Sequence, residues 1–390
     1  MELSFAKLEG KSRKYYIALG VLGALVICGL VCFAFSYIRG HQLFGSSNAI
    51  PWGLPIVATI YLIGLSAGSL ILSALTYLLG REEYKPISRV AVFLAVMLIM
   101  GAMIAIGIDL GRPEKFVRLF TFQNITSMFT LNAIFYSTYF AIGIVYLGSM
   151  FAGKLKVTKT IGSIAVGWAM LVHGGTGAIF GFIAAREYWN SPIKPLEFIV
   201  AALTSGVALL IVVLVLTLKL SGREINKKLL GDLGRILSFF IVGLFALILV
   251  DKLTHAYPPG GELRYLLFGP YSWIFWFLQI GLSVVIPSAI LWHPKAGKAV
   301  PGLVAAGVMV VIGIFFERYY LVIPSAAAPM EYFPGEIQGI YGSVASFPIT
   351  IVELGVMIGV FALVALLYML GLRFLELLPV KQGKNGKNKE

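Results

Sequence analysis

Ionisable side chains interrupt long apolar runs at a small number of places in this 390-residue chain. Asp251, Lys252 and His255 crowd together in one run, and Glu317 and Arg318 are adjacent in another. Asp109, His173, Arg186 with Glu187, Glu197 and Glu353 stand within or at the ends of others. Imidazole and carboxylate groups beside a guanidinium can exchange protons, orient a polar ligand and tune one another's charge. Apolar surroundings make such groups costly to keep, so they mark where chemistry is expected.

The apolar runs are ten in number, at about 16–38, 54–80, 88–109, 124–150, 160–186, 195–220, 232–257, 271–293, 299–323 and 349–373. At about 1.5 Å per residue each is long enough to cross a hydrocarbon core of about 30 Å, so the fold expected is an all-α integral membrane protein with ten spans. Of 31 Lys and Arg, 22 fall on the amino terminus, the even-numbered connections and the carboxyl tail. They include Lys7, Lys11, Arg13 and Lys14, then Lys154, Lys156 and Lys159, the cluster Lys219 to Arg235, and Lys381, Lys384, Lys387 and Lys389. Both termini are thereby expected on the cytoplasmic side of a cell membrane. The +13 net charge reads as topology, and a nucleic-acid surface is excluded because the bases sit on short loops without interleaved exposed aromatics. The first run has no small-x-small cleavage site after it and reads as a retained helix. Its two cysteines, Cys28 and Cys32, read as packing residues and cannot complete the four-ligand set of an iron–sulfur cluster.

With this orientation the ionisable groups share the outer half of the membrane. Asp109 closes the third span, Arg186 and Glu187 the fifth, Glu197 opens the sixth, and His173 is the deepest, inside His173-Gly174-Gly175-Thr176-Gly177. Asp251 and Glu317 lie roughly 6 to 9 Å inside their helix ends, too deep for simple snorkelling. Titratable groups next to Arg in an apolar, aromatic setting suit a molecule whose head changes protonation with its redox state, and a quinone fits. A bis-His haem does not: His41 is in an outer loop, His293 is at the opposite face, and His173 and His255 differ in depth.

Spans two to five and six to nine echo one another at a spacing of about 130 to 142 residues. Ser66-Ala67-Gly68 answers Thr204-Ser205-Gly206, Asp109 answers Asp251, and Ala185-Arg186-Glu187-Tyr188 answers Glu317-Arg318-Tyr319-Tyr320. Two four-helix bundles running in the same direction are expected, flanked by spans one and ten. The corresponding divisions are 1–53, 54–190, 191–325 and 326–390. The outer loops are short, aromatic and Pro-rich, as in Tyr257-Pro258-Pro259-Gly260, and are suited to docking a partner domain.

In order and spacing these pieces resemble the NrfD/PsrC family of membrane subunits of polysulfide-reductase-type complexes. The resemblance is carried by Ile50-Pro51-Trp52-Gly53, Ile108-Asp109-Leu110-Gly111-Arg112-Pro113 and His173 to Trp189. Asp251-Lys252-Leu253-Thr254-His255-Ala256-Tyr257 and Glu331-Tyr332-Phe333-Pro334 also carry it. It implies two four-helix bundles, no haem, and a menaquinone or ubiquinone site near the outer face. It also implies a docked iron–sulfur subunit joined to a molybdopterin or other catalytic subunit. Ten spans look more like the hydrogenase-anchor, sulfite-reductase-associated and alternative complex III members than the eight-helix polysulfide reductase form. Asp109, His173 and Arg186 fall at family motif positions and Asp251 takes the place of a family acidic residue, while Lys252 and His255 are less typical.

The residues expected to bind quinone or transfer protons are therefore Asp109, His173, Arg186, Asp251, His255, Glu317 and Arg318. Two other classes share ten spans. A secondary transporter would place its charges near the midplane, often with inverted repeats, and a plain membrane anchor would need no deep charges.

Overall fold

The computed structural model describes residues 4–10, 12–78, 80–223, 226–257, 262–328 and 346–380. Pro258-Pro259-Gly260, Glu331-Tyr332-Phe333-Pro334 and the four lysines of the carboxyl tail lie outside the described residues. Among the described residues, ten helices are long and apolar enough to cross a membrane. They are α1 (Arg13–Arg39), α2 (Leu54–Leu78), α3 (Lys85–Asp109), α4 (Met128–Phe151), α5 (Leu155–Gly181), α6 (Lys194–Leu220), α7 (Lys227–Ala256), α8 (Ile274–Trp292), α9 (Val300–Ala327) and α10 (Ile351–Phe374).

The helix contacts are consistent with α2 to α5 as one group of four and α6 to α9 as another, and α1 pairs with α10 along the outside. The groups meet where α2 crosses α6. There Gly68 faces Gly206, and a Cβ on either would run into the other's backbone. Small residues let two membrane helices approach closely enough for van der Waals contact along the crossing. The contact pairs the two segments, Ser66-Ala67-Gly68 and Thr204-Ser205-Gly206, that echo each other in sequence. Gly29 of α1 and Gly359 of α10 meet in the same way.

The two ends of the described chain lie on one face. Strand β1 (Ser4–Ala6) pairs antiparallel with β2 (Leu378–Val380). Arg223 donates to Pro379 O at 2.6 Å, and Arg89 donates to Glu376 O and Met150 O at 3.0 Å each. The opposite face, called distal below, carries the loops between α1 and α2, α3 and α4, and α5 and α6.

Helix α5 ends at Gly181, five residues before Arg186. The chain folds back there because Gly181 packs on the Ser191 carbonyl and receives the Ser191 N–H at 3.2 Å. Arg186 and Glu187 therefore sit in the following turns rather than closing a span. Helix α9 runs on to Ala327, which sets Glu317 ten residues, roughly 15 Å, inside its end.

Candidate functional site

The distal half holds two distinct features, one ionic and one a cavity. The ionic one occupies the second group of helices. Lys194, in the first turn of α6, is 1 % exposed; its Nζ donates to Asp251 Oδ2 at 2.7 Å and to Glu197 Oε2 at 3.0 Å. Lys252 donates to the same Asp251 oxygen at 2.8 Å and to the Tyr188 hydroxyl at 2.8 Å. Both ammonium groups stand over the Tyr188 ring, at 5.0 and 4.3 Å. Glu317 accepts from Arg318 at 3.2 Å and interacts electrostatically with Glu197, Lys194 and Lys252. All six charged residues are buried. Three cations balance three carboxylates, which is the condition under which charges persist in a low-dielectric interior. Among the described residues, Asp251 Oδ1, Glu317 Oε2 and Arg318 Nε have no hydrogen-bond partner.

Four of the seven expected residues, Asp251, His255, Glu317 and Arg318, thus belong to one cluster. His255 sits at its edge: Nδ1 is 2.7 Å from Asp251 O, and Nε2 is 3.0 Å from Glu187 O. The other three stand apart from it. His173 is enclosed in the first group, with Nδ1 2.8 Å from Ala169 O and Nε2 3.0 Å from Ile63 O, so both ring nitrogens face backbone carbonyls. Arg186 ties the two groups together at the distal face, donating to Ala328 O at 2.8 Å and Ala49 O at 3.4 Å. Asp109 ends α3, 4.0 Å from His41 Nε2. Burial pushes the His41 imidazole below its ordinary range.

The cavity lies in the first group and measures about 1040 Å³. Ile56, Thr59 and Ile60 of α2, Met103 and Ile106 of α3, Asn132 and Tyr136 of α4, and Phe180 of α5 form its walls, with Trp52 at one side. Arg112, Lys115 and Arg118 of the α3–α4 loop border it as well. None of the seven expected residues lines it, although Asp109 adjoins the lining residue Leu110. Its uncharged polar lining on α2 and α4 has a consistent sense. Thr176 donates to Val172 O at 2.6 Å, so its hydrogen is used and Tyr136, 2.8 Å away, must donate to it, which turns the tyrosine lone pairs outward. Asn132 spends both amide hydrogens on Met128 O and Gly175 O, and its Oδ1 has no partner among the described residues. Thr59 and Ser137 donate to Pro55 O and Ala133 O. These four side chains can therefore accept hydrogen bonds without giving up one they already make.

Two stacked rings separate the cavity from the ionic cluster. Phe180, in the cavity wall, stacks on Phe198 at 5.8 Å, and the Arg318 guanidinium lies 3.8 Å from the Phe198 centroid. Alongside, Trp52 stacks on Trp189 at 5.4 Å, and the Trp189 indole N–H is held by Leu321 O and Ser325 Oγ at 2.9 and 2.7 Å.

Several site residues lie beyond the seven. Lys194 is central, and its signal in the sequence is a cation three residues before Glu197 at a Pro-marked helix start. Glu262 accepts the Tyr188 N–H at 3.1 Å, and burial pushes its carboxyl up to about 7. Glu353 accepts from Leu54 N at 2.5 Å and Gly45 N at 3.2 Å, so it caps the start of α2. Asn132 and Thr59 are neutral and carry no comparable signal.

Similarity to known proteins agrees with this architecture. The family model described as polysulphide reductase, NrfD, matches residues 42–329. The chain belongs to the NrfD family. It is 35 % identical over 389 residues to the Hdr-like menaquinol oxidoreductase integral membrane subunit of Archaeoglobus fulgidus, covering 97 % of this chain and 98 % of that one. A selenate reductase subunit of Mesobacillus selenatarsenatis is 30 % identical, with 81 % and 83 % covered. The menaquinone reductase integral membrane subunit of Nitratidesulfovibrio vulgaris is 24 % identical, with 90 % and 88 % covered.

Proposed function

We propose that this protein is the membrane subunit of a respiratory oxidoreductase complex that takes electrons from a membrane quinol, menaquinol or ubiquinol, in the cavity of the first helix group. The observation that carries the reading is the sense of the cavity's hydrogen bonding. A quinol head offers two O–H donors, and Tyr136, Asn132, Thr59 and Ser137 offer acceptors. The volume suits a head with part of its tail, and the walls suit an isoprenoid chain. Relatives whose names include menaquinol oxidoreductase and menaquinone reductase support the same substrate class. Oxidation of a quinol yields two electrons and two protons. The electrons leave to an iron–sulfur subunit docked on the distal face, itself joined to a molybdopterin or other catalytic subunit.

In this reading the chain's own residues orient the head and handle protons. Tyr136 and Asn132 accept from one hydroxyl. Asp109, beside His41 at the distal surface, receives a proton and returns it to that side. The ionic cluster around Asp251, Lys194, Glu317 and Arg318 lies behind Phe180 and Phe198 and sets the field at the cavity, with His255 and Arg186 holding the adjoining backbone. His173 fixes α5 against α2. Toward the termini, Tyr139 and Ser66 meet at 3.2 Å, and Ser73 and Tyr146 continue the hydroxyl series, a path that would couple turnover to proton movement. The Lys and Arg distribution supports a cytoplasmic position for both termini.

The test is the purified, assembled complex. Quinone should be extractable from it, and Ala133→Trp, which fills the cavity, should abolish quinol-dependent turnover while leaving the partner subunits bound. Full quinol turnover in that variant would end this assignment.

A further inference from the structure

We propose that Arg112, Lys115 and Arg118 form a headgroup site for an anionic phospholipid at the mouth of the cavity. The spacing places them together. Residues Pro113–Val117 form a 3₁₀ turn flanked by Arg112 and Arg118. With three residues per turn, side chains at i, i+3 and i+6 fall on one side, and all three border the cavity. They are exposed, and among the described residues none of them forms an ion pair. Three exposed cations gathered at one opening suit an anionic group.

The surroundings make that anion a lipid. Leu110, Val117, Phe122 and Ile125, on the same segment, are 51 %, 65 %, 83 % and 68 % exposed. Basic residues interleaved with large apolar ones are the composition of a segment lying in a membrane interface, its cations at the phosphates and its apolar groups among the acyl chains. A soluble acidic protein would satisfy the charges but leave those apolar side chains facing water or an acidic surface. A phosphodiester satisfies the cations while its acyl chains cover the apolar residues and reach the cavity mouth. The site shares its cavity with the quinol reading, but the lipid contact needs no quinone, so either can fail without the other.

The experiment is native mass spectrometry of the full-length protein with dioleoyl phosphatidylglycerol and dioleoyl phosphatidylcholine. The wild type should hold phosphatidylglycerol more tightly. At roughly 5-fold per basic residue, the triple variant Arg112→Gln, Lys115→Gln, Arg118→Gln should bind it on the order of 100-fold more weakly, with phosphatidylcholine unchanged. Arg112→Lys with Arg118→Lys should retain most of the affinity, which also controls for folding. Lys154→Gln, Lys156→Gln, Lys159→Gln, on the termini face, should behave as wild type. Unchanged phosphatidylglycerol binding in the first triple variant, or equal loss of both lipids, would overturn the proposal. So would displacement by inorganic phosphate at matching concentration, or loss of an acidic partner subunit with lipid retention intact.

Discussion

Lys194 is the cation on which the buried cluster depends, and replacing it with methionine isolates that dependence. Its Nζ is 2.7 Å from Asp251 Oδ2 and 3.0 Å from Glu197 Oε2. Asp251 keeps Lys252 at 2.8 Å after the change, so the loss falls mainly on Glu197, which then faces no ammonium at contact distance among the described residues. Methionine preserves most of the apolar volume, so the cost is electrostatic. Two charge-assisted hydrogen bonds at about 1.5–3 kcal/mol each bracket it, and the usual penalty for stripping one partner from a buried pair is about 3–5 kcal/mol. Lys194→Met should therefore lose roughly that much stability in equilibrium unfolding from mixed micelles. Adding Glu197→Gln restores the balance of charge and should recover about half or more of the loss, a strongly non-additive pair. A double variant as unstable as the sum of the two single changes would show that balance is not what keeps these charges buried.

Tyr136→Phe removes one outward-facing acceptor worth about 1 kcal/mol and should lower quinol-dependent turnover of the assembled complex roughly 5-fold, whereas Tyr368→Phe, whose hydroxyl meets Thr217 at 3.1 Å far from the cavity, should not. Gly206→Leu forces α2 and α6 apart and should cost about 3 kcal/mol or more in the same unfolding assay, while Gly20→Leu, with open space around it, should be near neutral. Glu262 gives a pH signature. Burial raises its folded-state value to about 7 from 4.5, so its contribution to stability is fully present below about 4.5 and is lost as pH rises through about 7. At about 1.36 kcal/mol per unit this amounts to up to about 3 kcal/mol, and Glu262→Gln should flatten the decline measured between about pH 4.5 and 7. Identical pH profiles would remove Glu262 as its source.

The ten spans were legible because each is a long apolar run bounded by charge, a signal that survives without any tertiary information. The ionic cluster was partly legible for a related reason. Carboxylates and cations are rare inside spans, so Asp251, Glu317 and Arg318 stand out one at a time, and the chain brings them together. Their partner Lys194 was harder to see because it sits at a helix start, where a lysine ordinarily reaches to water; here Tyr188 and the α5–α6 turns cover it. Arg186 read as the end of a span because the apolar run continues past Gly181, and only the backbone contact with Ser191 ends the helix earlier.

The cavity was not legible, and the cause is physical. Thr59, Asn132, Tyr136 and Ser137 are residue types that any membrane helix tolerates by bonding to its own carbonyls, as each of them except Tyr136 does. What sets them apart is the direction of the lone pairs left over, which depends on Thr176 handing its hydrogen to Val172 and on α5 lying against α4. A search for ionisable groups therefore finds the ionic cluster, while the groups that in the proposed reading would touch a quinol are neutral. The separation has a mechanistic use. A balanced ionic cluster two rings away can bias the cavity's potential without itself entering the cavity, so a head held between α2 and α4 would meet the neutral acceptors there. Neutralising Glu317 as Gln should then alter the midpoint potential or rate of quinol oxidation more than its apparent affinity, whereas Tyr136→Phe should alter affinity as well. If both variants changed affinity alone, the cluster and the cavity would be acting as one binding site.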